Sequence, residues 1–175
     1  MNLSTDYLGL RLRNPVVASA GPLSQTVEGI KSLADGGVGA VVMYSLFEEQ
    51  LRREAETVAA LEDLYDDSFA EALSYFPSVP QSEKDASHAY LKLVEEGAKA
   101  IDVPLIASLN GASLGGWTQS ARRLADAGAA AIELNIYFVP GDITVSGREV
   151  EERHLEILSA VKYAVDIPVA VKLSP

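Results

Sequence analysis

The stretch Ala125-Asp126-Ala127-Gly128-Ala129-Ala130-Ala131-Ile132-Glu133-Leu134-Asn135 decides how this chain folds. A helical pattern over Trp117–Ala127 runs into Gly128, and an apolar run, Ala131–Asn135, follows almost at once. Glycine supplies the left-handed backbone that stops a helix. A near-continuous apolar run, rather than an alternating one, is the pattern of a strand buried on both faces in a parallel sheet.

The same device recurs on either side. Ala34-Asp35-Gly36-Gly37-Val38-Gly39-Ala40-Val41 stops a helix with glycines. Asp102-Val103-Pro104-Leu105 and Asp166-Ile167-Pro168-Val169 use proline, which forces extended geometry on the residue before it. The apolar runs are Val16–Ala20, Ala40–Tyr44, Leu105–Leu109, Ala131–Asn135 and Val169–Leu173. Helical patterns lie between them. Thr26–Asp35 places Val27, Ile30 and Leu33 on one face, and Ser87–Ala100 places Tyr90, Leu91, Leu93 and Val94 near one stripe. Phe47–Tyr65 carries Glu48/Arg52 and Glu49/Arg53 at i,i+4, the mark of an exposed helix face. Trp117–Ala127 and Glu149–Val165 complete the set.

Strand–helix alternation implies parallel βαβ units with right-handed crossovers. Five strands fit an open doubly wound sheet or part of an eight-stranded barrel. The length of 175 residues favours the open sheet, because a complete barrel needs about 250. The Ala-x-Ala-Gly-Ala cap before the fourth strand, and an end on Leu173-Ser174-Pro175 with no covering helix, favour the barrel. The expectation is therefore an α/β fold: the N-terminal part, about five βα units, of a parallel (β/α)8 TIM barrel. Residues 1–175 read as a single barrel domain truncated after its fifth strand.

Composition narrows the function. There are 25 acidic against 14 basic residues, a net charge of −11, which argues against a nucleic-acid partner because phosphate binding needs a concentrated positive surface. The absence of cysteine excludes disulfides, thiolate metal sites and a cysteine nucleophile or base. No stretch reaches the roughly 20 apolar residues of a membrane span, and Met1–Arg13 has no apolar core of signal-peptide length. The expected setting is cytoplasmic. The long segment Leu46–Lys84 leaves the C-terminal end of a strand, where barrel active sites sit, and its Ser74–Pro80 tip reads equally as a lid or as a self-packed insertion.

Residues at the C-terminal ends of the strands are the ones placed to do chemistry. They are Ser19-Ala20-Gly21-Pro22, Met43-Tyr44-Ser45, Ser108-Leu109-Asn110-Gly111, Glu133-Leu134-Asn135 and Lys172-Leu173-Ser174-Pro175. A buried lysine or asparagine is expensive unless paired, which singles out Lys172 and Asn135. Ser19–Gly21 reads as a close approach to a flat ligand or simply as a tight turn. His88 and His154 fall in helical patterns beside charges and read as surface residues. No metal-ligand spacing, phosphate-binding glycine loop or Ser/His/Asp arrangement is present.

Taken in order, these strand ends resemble the dihydroorotate dehydrogenase family. Leu8-Gly9-Leu10-Arg11-Leu12-Arg13-Asn14-Pro15-Val16-Val17 is similar to that family's N-terminal hairpin and first strand, and Ser19-Ala20-Gly21 to its turn under the flavin. Glu133-Leu134-Asn135-Ile136 resembles the start of its Glu-Leu-Asn-Leu-Ser-Cys-Pro-Asn motif, and Val169–Pro175 its Val-Lys-Leu strand. The resemblance covers the whole chain and implies a barrel holding FMN over the strand ends, with a small-molecule substrate. Lys172 would contact the flavin near N1, Asn135 would hydrogen-bond flavin or substrate, and Ser45, Asn110 and Ser19, Ala20 and Gly21 would line it.

The departures are specific. Tyr44 replaces the family's flavin-contacting lysine, and the catalytic base falls at Phe138, which cannot take a proton; neighbouring Tyr137 is an alternative acid. The family's flavin-phosphate site lies after strands seven and eight, beyond this chain. Three readings follow: an FMN-dependent oxidoreductase of unknown substrate, a non-catalytic half-barrel forming a homodimer over its open edge, and an open five-stranded domain binding a small ligand. Strand order separates the last from the first two.

Overall fold

Five parallel strands lie side by side in the order of the chain and curl into a half-barrel. The computed structural model describes residues 1–47, 82–111, 114–136 and 143–173, and the side chains of 82–86 are left aside. A two-stranded antiparallel hairpin, β1 (Thr5–Tyr7) and β2 (Leu10–Leu12), comes first. The parallel strands are β3 (Val17–Ala18), β4 (Ala40–Phe47), β5 (Leu105–Asn110), β6 (Ala131–Ile136) and β7 (Val169–Leu173). Helices α1 (Val27–Asp35), α2 (Ser82–Ala100), α3 (Leu114–Asp126) and α4 (Gly147–Ala164) lead into β4, β5, β6 and β7 respectively.

The glycine stops act as their positions imply. Gly37 (φ 96°) and Gly128 (φ 99°) take the left-handed conformation directly after α1 and α3. The other ends are set by side chains: the Thr26 hydroxyl accepts from Gly29 N at the start of α1, and Ser146 with Glu149 forms a reciprocal capping box at the start of α4. Arg13 ties the sheet edge to the helix layer by donating to the Val38 carbonyl at 2.8 Å and to the Ala34 carbonyl.

Sequential strand order decides between the architectures. An open doubly wound sheet reverses its order at a switch point and carries helices on both faces. Here β3-β4-β5-β6-β7 never reverses, and the four described helices contribute to one core on one face. Ile30, Tyr90, Val94, Trp117, Leu124, Ile157 and Val161 from the helices meet Val41, Met43, Leu105, Ala107, Leu109, Ile132 and Leu134 from the strands. The other, concave face holds a smaller cluster, Leu12, Ala40, Val42, Ile106 and Ala131, with Leu8, Leu10 and Val17 against it. The hairpin thus plugs the N-terminal end of the barrel interior.

Some boundaries differ from the sequence reading. The first strand shortens to Val17–Ala18, and α2 begins at Ser82 rather than Ser87. Phe47 closes β4 instead of opening a helix; the rest of the Phe47–Tyr65 pattern and the Ser74–Pro80 tip lie outside the described residues.

Candidate functional site

Register sorts the concave face into layers. Val42 pairs with Ile106 and Ile106 with Ala131, giving an apolar layer. One step toward the C-terminal ends, Ser45 pairs with Ser108, Ser108 with Glu133, and Glu133 with Ala170. One step further, Phe47 pairs with Asn110, and Asn135 with Lys172. The face therefore grades from aliphatic beside the hairpin to polar and charged at its mouth. Ser45, Asn110, Asn135 and Lys172 converge as the strand-end reading anticipates.

The polar layer is a connected line across four strands. Ser45 Oγ and Ser108 Oγ share a hydrogen bond at 2.8 Å, Ser108 Oγ donates to Glu133 Oε1 at 3.5 Å, and Lys172 Nζ donates to the same oxygen at 3.1 Å. Ser108 is fully buried, and the Glu133 side chain is 19% exposed. The Lys172 side chain is 48% exposed on β7. Lys172 is paired with Glu133. Asn110 and Asn135 are half-buried, with no side-chain hydrogen bond to another described residue.

Sequence reasoning quoted Ser108 and Glu133 but did not single them out. The signal was there: each lies two residues before an asparagine already chosen, so the period of two puts it on the same face.

Tyr44 is not at the mouth. Between Val42 and Ser45 the β4 register slips against β5 by one residue, a β-bulge. The bulge returns Ser45 to the concave face and leaves the Tyr44 ring with the helix-side core, edge-on to Tyr90 at 4.9 Å and 70°. Tyr90 Oη donates to the Tyr44 carbonyl at 2.7 Å and reaches the Ser108 carbonyl at 3.4 Å, pinning the bulge to β5. Burial pushes both phenols above their ordinary value; for Tyr90 the nearby Tyr44 adds to the rise.

Ser19, Ala20 and Gly21 follow β3 directly. Ser24 donates to the Gly21 carbonyl through both its backbone N (3.2 Å) and its hydroxyl (2.9 Å), so the segment is a tight turn. Gly21 is extended, and a Cβ there would meet nothing nearer than the Ser19 carbonyl at 3.8 Å. The turn itself does not demand glycine at that point. A cleft of about 400 Å³ runs from the hairpin, at Asp6 and Tyr7, up the concave face to Ser19 and Glu133. That is within the usual size of ligand pockets.

His88 is exposed on α2, and His154 Nδ1 lies 2.6 Å from the Val150 carbonyl on α4; neither faces the mouth. Among the described residues no cluster of three His, Cys, Asp or Glu side chains is arranged to hold a metal, and no helix is long and apolar enough to cross a membrane. Tyr137 and Phe138 lie outside the described residues.

No family model matches the chain. Among curated proteins, it is 33% identical to the catalytic subunit of dihydroorotate dehydrogenase B (NAD(+)) from Methanothermobacter thermautotrophicus, over 99% of this chain and 54% of that protein. The corresponding subunit from Methanocella arvoryzae is 30% identical over 100% of this chain and 54% of its own length. The chain thus spans about half the length of the curated relatives it matches. Two solved structures share the fold: a variant of NCR from Zymomonas mobilis, with a TM-score of 0.64 and 13% identity over 98% of this chain and 58% of its own, and histamine dehydrogenase from Rhizobium sp. 4-9, with 0.60 and 9% over 98% and 33%.

Proposed function

Because the chain is related along its whole length to the N-terminal half of the dihydroorotate dehydrogenase family, we propose that it forms the flavin-facing half of a cytoplasmic FMN-dependent oxidoreductase acting on a small molecule. The observation that carries this reading is the convergence of Ser45, Asn110, Asn135 and Lys172 at the carboxyl ends of consecutive parallel strands. The donor set suits a flavin: a cation for the electron-rich N1 side, amides and hydroxyls for the ring's polar edge, and a small-residue turn at Ser19–Gly21 for its flat face.

When bound, FMN supplies two-electron chemistry as an acceptor and donor of hydride. The chain's part is to hold and polarise. The Lys172 ammonium would supply positive charge to stabilise the reduced, anionic ring, a fixed-charge effect that strengthens as water is excluded. Asn135 and Asn110 donate and accept at the mouth, and Ser45 is oriented for the same task by Ser108. Proton abstraction is a different matter. Phe138 stands where the family carries its base and cannot take a proton, so the substrate is one whose oxidation or reduction needs no base there, or one served by Tyr137. Orotate itself is disfavoured on this ground.

The intact gene product is expected to show a flavin absorption spectrum, and Lys172→Ala to lower its flavin content. Unchanged occupancy in that variant would remove Lys172 from the site. A second reading, a non-catalytic half-barrel that pairs as a homodimer, is favoured by Phe138 at the position where the family carries its base. A colourless protein that stays dimeric after addition of FMN is the outcome it expects.

A further inference from the structure

The Glu133–Lys172 pair has no adequate explanation in stability. Barrel interiors are filled by bulky aliphatic residues. A partly exposed ion pair contributes little, and a buried one is often matched or bettered by apolar residues of the same volume. Yet here a carboxylate that is 19% exposed stands on the concave face, one layer below the mouth, on a hydroxyl line built from two strands. Lys172 stands directly across from Asn135 in the register, but its ammonium does not stay at that level. It reaches back diagonally to Glu133 Oε1 at 3.1 Å. The carboxylate thus sets the height of the cation on the barrel wall. Ser108, fully buried, sets the carboxylate in turn.

We infer that Glu133 is a positioning and charge-compensating residue for Lys172, fixing the ammonium beneath the cofactor mouth and setting the reduction potential of the flavin held there. The inference rests on the flavin reading above. A negative charge 3.1 Å from the ammonium cancels much of its field beyond the pair. With the pair intact, the flavin senses a weakened cation, and its reduced anionic form gains only part of the stabilisation a bare lysine would give. Glu133→Gln keeps an amide oxygen to receive Lys172 and removes the charge. The lysine then stays in place and acts at greater strength.

The test is spectroelectrochemical titration of the intact, FMN-loaded gene product. In Glu133→Gln the preference for reduced over oxidised FMN should increase about tenfold, equivalent to about 30 mV upward in the two-electron potential. Glu133→Asp, which keeps the charge and guards against misfolding of the amide variant, should stay near the parent. In a Lys172→Met background the Glu133→Gln shift should shrink to what the carboxylate's own charge contributes, and an undiminished shift overturns the positioning role. A potential that is unchanged or lower in Glu133→Gln overturns the inference and leaves the flavin reading standing. An intact protein that takes up no FMN overturns both.

Discussion

Leu134 and Glu133 are neighbours in sequence and belong to different parts of the protein. Leu134 is fully buried on the helix side, in a core shared by the four described helices; Glu133 faces the barrel interior and holds an ammonium. The same division runs along β5, where Leu105, Ala107 and Leu109 face the helices while Ile106, Ser108 and Asn110 do not. One face is uniformly apolar from end to end. The other changes from aliphatic to polar over the length of a strand. A half-barrel can therefore keep its stability and its chemistry on opposite sides of a single sheet, with a pleat of period two as the only partition.

Substitutions on the two faces should separate cleanly. The largest effect belongs to the helix side: Leu134→Ala should destabilise the protein by about 2–5 kcal/mol in denaturant melts. FMN affinity per folded molecule should not change, and a selective loss of flavin would break the division. Next comes Tyr90→Phe, which strips the Tyr44 carbonyl of its donor and should cost about 1–3 kcal/mol. The pH dependence has a definite sign. A phenol whose folded value lies above its ordinary 10.0 contributes stability that is complete below pH 10 and declines as pH rises beyond it. Alkaline unfolding should accordingly be less steep in Tyr90→Phe than in the parent, as thermal melts across that range would register.

Smaller effects sharpen the comparison at its margins. Ser146→Ala removes the capping box of α4 and should cost about 1 kcal/mol at neutral pH. The Ser146 backbone N–H and hydroxyl hold the Glu149 carboxyl below its ordinary 4.5, so that support is present above this value and is lost as pH falls through the lowered one. Parent and variant should converge in acid melts. Smallest in stability is Ser45→Ala, under about 1 kcal/mol for one neutral hydrogen bond. Its signature should be weaker FMN binding, read by flavin fluorescence; an unaffected affinity would take Ser45 out of the proposed flavin site.

The strands and their stops were legible because their causes are local. Gly37 and Gly128 take positive φ as glycines after helices do, and Pro104 and Pro168 precede strands as the steric rule requires. The convergence of Ser45, Asn110, Asn135 and Lys172 was legible because parallel strands bring their carboxyl ends to one side. Contacts that depend on register were not. The Lys172–Glu133 pair joins residues 39 apart, and its diagonal follows from how β6 and β7 align. The bulge left no mark in Val41-Val42-Met43-Tyr44-Ser45, which reads as an unbroken strand.

That bulge works like a frameshift written in space. Upstream of it on β4, even-numbered residues look inward; downstream, odd-numbered ones do. Matching residues letter by letter across it keeps chemistry aligned while the faces change places. A lysine grafted onto position 44 to imitate a relative would arrive beside the Tyr90 ring, on the wrong side of the wall. Deleting one residue from the strand would do more to redesign the mouth than any exchange of side chain at that site.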